Sequence, residues 1–185
     1  IMLVTGNLGG TVIYDISNPA APAQLTTYEI PNCPHCFHLQ TNVANVYASC
    51  KDNGLAVLDI TSPANPQYEG HFAGNNYTFE DLEIQDNVLA AAAHTAGVLF
   101  YDITDPAVPV LTSQLITDNA WTIIFNGNIL YIADGESGIK VVDITDILSP
   151  QIIFSQPTTG TTKDLALDGD LLYVAVGSAG VEIYD

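Results

Sequence analysis

The 185-residue chain is 48% apolar with a mean hydropathy of +0.24, enough to bury an ordinary core. Its 21 acidic residues face three lysines, Lys51, Lys140 and Lys163, and no arginine, for a formal net charge of −18. Nucleic acid and anionic lipid both demand cations against phosphate, so neither partner is expected, and the carboxylate excess suits a saline or calcium-containing medium.

Taken from the N-terminus, Ile1 to Val4 reads as the second strand of a four-stranded unit, and a glycine turn then leads into Thr11 to Asp15. The pattern that follows recurs along the whole chain. Gly10 to Pro22, Gly54 to Pro66, Gly97 to Pro109 and Gly138 to Pro150 carry the same text, and a fifth copy runs from Gly180 to Asp185. The aspartates Asp15, Asp59, Asp102, Asp143 and Asp185 are spaced by 44, 43, 41 and 42 residues, a period that suits one β-propeller blade.

Each full copy adds an outer strand after its proline turn: Ala23 to Glu29, Gln67 to Phe72, Val110 to Ile116 and Gln151 to Ser155. The glycine of each copy sits where a turn needs a residue without Cβ, and the aspartate can accept backbone N–H bonds and close the next turn. Pro19, Pro63 and Pro106 end the ladder, Ile147 standing in for this proline in the fourth copy. The expectation is one all-β propeller domain over residues 1–185, about 4.5 blades of repeats near 42 residues. A three-strand piece, three full blades and a second three-strand piece imply that both ends are cut within blades and that the chain is part of a larger propeller.

Val12 to Pro22 reads Val-Ile-Tyr-Asp-Ile-Ser-Asn-Pro-Ala-Ala-Pro, and Leu172 to Asp185 reads Leu-Tyr-Val-Ala-x-Gly-x-x-Gly-Val-x-Ile-Tyr-Asp. They resemble the LVIVD-repeat β-propellers of bacteria and archaea, which implies a propeller on a secreted or envelope-associated protein and supplies no catalytic residues to carry over. The lone tryptophan, Trp121, lies outside any Trp-Asp pair, so a WD propeller lacks support.

Side chains with chemistry gather in the turns between second and third strands and in the crossings between blades, segments expected on one face. His94, Asp134 and Glu136 lie there, and Phe37, Tyr77 and Trp121 are the expected aromatic contacts for a protein or glycan partner. Asp134 and Glu136 also invite calcium, though without an EF-hand spacing. Asn76-Tyr77-Thr78 fits the N-glycosylation triplet. When inner strands are aligned, His38, Asp81, Thr122 and Asp164 are equivalent, beside Phe37, Glu80, Trp121 and Lys163. An aspartate there either holds a cation or bonds the backbone of the next blade.

One segment departs from the repeat: Cys33-Pro34-His35-Cys36-Phe37-His38, with Cys50 further on. With the Asp168-Gly169 hairpin as a ruler, His35 is expected opposite Cys50 and Cys36 opposite Ser49. Three readings compete. Cys33 pairs with Cys36 or Cys50 in a disulfide; or Cys33, Cys36 and Cys50 with His35 or His38 hold zinc; or Cys-Pro-His-Cys is a thiol-redox site, though without the helix that activates such a thiol. Covalent haem attachment fails because Phe37, not histidine, follows Cys36.

These readings define a non-enzymatic surface or extracellular module within a longer parent chain, with no direct membrane insertion. The alternative is a metal or redox protein working through the cysteine patch.

Overall fold

The computed structural model describes residues 1–5, 10–33, 35–51, 53–72 and 77–185. Strands such as Asp164–Asp168 and Leu171–Ala175 alternate in burial, Asn45–Cys50 and Gly54–Asp59 are buried almost throughout, and within each sheet every strand pairs with its neighbour in sequence. Five antiparallel sheets result. The first holds β1 (Met2–Thr5), β2 (Thr11–Asp15) and β3 (Ala23–Tyr28). The second holds β4 (Cys36–Thr41), β5 (Asn45–Cys50), β6 (Gly54–Asp59) and β7 (Gln67–Phe72). The third is β8 (Asp81–Gln85), β9 (Val88–Ala92), β10 (Val98–Asp102) and β11 (Val110–Leu115). The fourth is β12 (Thr122–Asn126), β13 (Ile129–Ala133), β14 (Ile139–Asp143) and β15 (Gln151–Gln156), and the fifth is β16 (Asp164–Asp168), β17 (Leu171–Ala175) and β18 (Val181–Tyr184). The strand counts of three, four, four, four and three are those the repeat register predicts.

First and second strands turn tightly, with Asp86, Gly127 and Gly169 at positive φ. The glycine opening each third strand is also left-handed, and at Gly138 a Cβ would lie 2.1 Å from the Gln156 carbonyl oxygen. Third and fourth strands slip by one residue at the same place in three sheets, between Ile13 and Tyr14, Val57 and Leu58, and Val141 and Val142. The repeat aspartates act as expected: Asp15, Asp59 and Asp143 accept the N–H two residues on, from Ser17, Thr61 and Thr145, at 2.8, 2.7 and 2.8 Å. A second acceptor, Asn18, Asp105 or Asp146, repeats the device three residues later.

The described residues divide into two units, one of residues 1–79 and 103–110, the other of 80–102 and 111–185. In the first, Ile13, Cys36, Val46, Ala48, Cys50, Ala56 and Leu58 form a buried cluster shared by the two sheets. Buried Tyr47 donates its hydroxyl to the Pro106 carbonyl at 3.0 Å and takes Asn42 Nδ2 at 3.1 Å, tying in the 103–110 turn. In the second unit, alternate residues of β9 and β10 (Ala90, Ala92, Val98, Phe100) pack on Ile123, Leu130, Ile132 and Val142 of the next sheet. Ala133 and Ile139 in turn pack on Leu165, Leu172 and Val174 of the sheet that follows.

Candidate functional site

In the first unit, the chain turns at Ile30 to Cys33, where the Cys33 N–H reaches the Ile30 carbonyl at 3.1 Å and Asn32 takes φ 55°. Asn53 Nδ2 donates to the Asn32 carbonyl at 2.6 Å. This turn lays Cys33 against β5, and Cys33 is disulfide-bonded to Cys50, with a Cα separation of 5.1 Å. Of the two pairings left open by the sequence, the structure has Cys33 with Cys50. Cys36 is the free thiol; burial pushes it up, and it donates weakly to the His38 carbonyl at 3.5 Å.

The register expected here is corrected. Cys36, not His35, lies opposite Cys50, and Ser49 faces His38. Two physical causes produce this. The tight turn centres on Val43-Ala44, closed by the Asn42 side chain accepting the Ala44 and Asn45 N–H groups at 3.3 and 3.0 Å. The Ser49 hydroxyl then inserts into the ladder, accepting from the His38 N–H at 2.7 Å and donating to the His38 carbonyl at 3.3 Å, which bulges β4. The inner-strand alignment that placed His38 in register with Asp81 agrees with this geometry.

A zinc site on all three thiols requires the Cys33–Cys50 bond to be absent. Among the described residues no group of three or more His, Cys, Asp or Glu side chains is arranged to hold a metal. His35 and His38 are half-buried, Phe37 is 38% exposed, and Tyr77 stacks on Phe79 with ring centroids 6.2 Å apart. Asp52 and Asn76 fall outside the described residues.

The second unit gathers a different set of side chains around Trp121. His94 occupies the turn position that carries Gly135 and Gly177 in the next two sheets, and it takes the same left-handed conformation, φ 49° against 61° and 60°. A side chain there is strained by about 1 kcal/mol or more. Its backbone is held by a two-way bridge with Ala120, both bonds 3.0 Å. The half-exposed imidazole sets Nε2 2.8 Å from Glu80 Oε1 and Nδ1 3.1 Å from Asn119 Oδ1, and meets the Trp121 ring edge to face at 4.8 Å. Lys163 Nζ lies 4.4 Å from the Trp121 ring centre, a cation–π contact. Trp121 is half-buried, and its indole N–H is buried without a hydrogen-bond partner.

Of the residues singled out from sequence, His94 and Trp121 come together; Glu80, Asn119 and Lys163, which complete the cluster, were not named as site residues. Glu80, Trp121 and Lys163 hold one equivalent position in three consecutive sheets, a signal that already made them neighbours. Asn119 carried no such signal.

Asp134 is fully buried, its oxygens accepting the Asn119 and Asp118 N–H groups at 2.7 and 3.2 Å, with Lys140 Nζ at 3.7 Å. It shapes the loop carrying Asn119. Glu136, in the same turn, is exposed. Asp81 takes the bridging role: its carboxylate accepts the Leu82 N–H at 2.9 Å and, from the next sheet, the Ile123 N–H at 3.0 Å. Burial, with a smaller contribution from Asp164, pushes it up to about 6 despite those bonds. Thr122 repeats the bridge, donating to the Lys163 carbonyl at 2.9 Å. A separate cleft of about 520 Å³, lined by Tyr131, Phe154, Leu167, Leu172 and Tyr184, lies between the fourth and fifth sheets.

Consecutive antiparallel sheets of three and four strands, each meandering in chain order, define a β-propeller repeat protein. The LVIVD repeat profile matches residues 5–29, 46–73, 118–158 and 159–185, together more than half of the sequence, and the chain belongs to the LVIVD repeat family. Residues 74–117, which hold Glu80 and His94, lie outside the matched stretches.

Many solved structures are similar, among them the following three. A functionally unknown protein from Desulfotomaculum acetoxidans aligns over 99% of this chain at 12% identity with a TM-score of 0.79. The Cps50 (Swd1) β-propeller domain of Myceliophteria thermophila aligns over 95% at 10% identity with a TM-score of 0.72. A chain of the Mitotic Checkpoint Complex aligns over 99% at 12% identity with a TM-score of 0.69. The chain spans 61%, 63% and 61% of their respective lengths. At such identities the likeness carries the fold alone. No curated protein matches the chain.

Proposed function

We propose that the chain is a non-enzymatic binding module of a larger extracellular or cell-surface protein, and that it engages a protein partner through the loops around Trp121. The observation that carries this reading is His94. At a turn position occupied by glycine in the two following sheets, this chain has a strained histidine whose side chain organises Glu80, Asn119 and Trp121. Stability gains nothing there that glycine would not supply, whereas a contact surface gains a fixed set of polar and aromatic groups.

A protein is favoured over a glycan because Lys163 sits over the indole and His94 packs against it at right angles, where a sugar would need a free platform. The Mitotic Checkpoint Complex, a protein assembly containing a similar fold, is in keeping with this. The disulfide and the net charge of −18 suit an oxidising, saline compartment.

The test is a screen of the immobilised chain against a displayed protein library and a glycan array, repeated with His94→Gly and Trp121→Ala. His94→Gly keeps the backbone conformation and should fold normally. Protein hits that weaken at least tenfold in both variants are the expected result. Glycan hits that respond in this way overturn the partner class, and hits indifferent to both substitutions overturn the site.

A further inference from the structure

We propose that the three cysteines form a thiol–disulfide exchange site in which Cys50 has two alternative partners, Cys33 and Cys36. Cys36 and Cys50 are direct cross-strand partners in β4 and β5. The Lys51 N–H bonds the His35 carbonyl at 3.0 Å, one residue outside this pair on each strand. A bond in that position marks Cys36 and Cys50 as a non-hydrogen-bonded pair, the kind whose Cα atoms stand roughly 4.5 Å apart with the side chains closest together. Disulfides span Cα separations of roughly 4.4–6.8 Å. The alternative bond thus needs no movement of the strands, and Cys33, the existing partner, sits 5.1 Å from Cys50 by Cα. All three residues belong to one buried cluster, at 7%, 6% and 0% exposure for Cys33, Cys36 and Cys50.

The step is redox-neutral. The Cys36 thiol loses its proton, the thiolate attacks Cys50 Sγ, the Cys36–Cys50 bond forms and the Cys33–Cys50 bond breaks, and Cys33 leaves as a thiolate that takes up a proton. One disulfide and one thiol exist before and after. What changes is the place of the thiol, which moves from a core strand to the segment behind exposed Pro31 and Asn32. Burial holds Cys36 in its thiol form at neutral pH, so exchange should be slow there and faster in alkali.

The oxidised chain, incubated without reductant at pH 7 and pH 9, quenched in acid, alkylated under denaturing conditions and mapped by peptide mass, tests this. The expected result is alkylation of Cys36 at the start and a growing share on Cys33, with a Cys36–Cys50 disulfide, faster at pH 9. Label confined to Cys36 throughout overturns the proposal. Cys36→Ser should hold the Cys33–Cys50 bond indefinitely, and label appearing on Cys33 in that variant would mean attack by something other than Cys36. Folded Cys33→Ser should contain a Cys36–Cys50 disulfide and no reactive thiol, and two reactive thiols there would likewise overturn the proposal. Should Cys33→Ser not fold, the wild-type incubation decides alone.

Discussion

The fourth and fifth sheets carry the same repeat text in different surroundings. Ile139 and Val181 open the third strand of each, yet Ile139 is 2% exposed and Val181 64%. Gly138 and Gly180 share a left-handed φ, 78° and 97°, but a Cβ at Gly138 would strike the Gln156 and Pro157 backbone, whereas at Gly180 it meets nothing within 4 Å. The difference is the fourth strand, β15, present in one sheet and without a counterpart among the described residues of the other. Propeller repeats draw much of their stability from their neighbours, so identical words acquire different energies according to what lies beside them.

The comparison can be broken by substitution at matched positions. Ile139→Ala should cost about 2–5 kcal/mol in a denaturant titration, while Val181→Ala should stay within about 0.5 kcal/mol. Equal costs would mean that the exposed strand is covered in solution. Gly138→Ala should cost about 3 kcal/mol, from left-handed strain together with the backbone clash, and Gly180→Ala about 1 kcal/mol from strain alone. A Gly180 effect as large as that of Gly138 would show that sterics do not separate the two turns.

Asp81 sharpens the same point between neighbouring sheets, because it is buried by the strand whose N–H it accepts. Its folded value of about 6 lies above the ordinary 3.8, so the folded state binds more protons between those values. Stability should therefore rise as pH falls from about 6 toward 4, by up to about 3 kcal/mol from this group, and be flat in this respect above 6. Asp81→Asn should remove that slope, measured as melting temperature against pH; a slope unchanged in the variant would place its origin elsewhere. The smallest effect expected is a rise of a few degrees in melting temperature with salt or calcium, from screening of the −18 charge. A melting temperature that does not respond to ionic strength would count against it.

The repeat made the sheets legible. Glycine, aspartate and proline recur at fixed offsets because turns demand them, and those local demands survive any tertiary context. The cysteine segment shows where that stops. Its register depended on a serine hydroxyl inserting into the ladder and on Asn42 closing a turn centred one residue beyond where a hairpin ruler puts it, neither of which period or composition reveals. The cluster at Trp121 lies between these cases: equivalence of Glu80, Trp121 and Lys163 made them neighbours in advance, but the left-handed His94 that joins them is visible only in three dimensions.

By itself the sequence determined the repeat period, the strand order within each sheet and the aspartate turns, because each follows from local backbone chemistry. Tertiary structure decided which cysteine pairs, which aspartate is buried, and which histidine meets an aromatic ring. Those outcomes depend on contacts between residues far apart in the chain, and the same repeat is buried or exposed according to the strand that lies next to it.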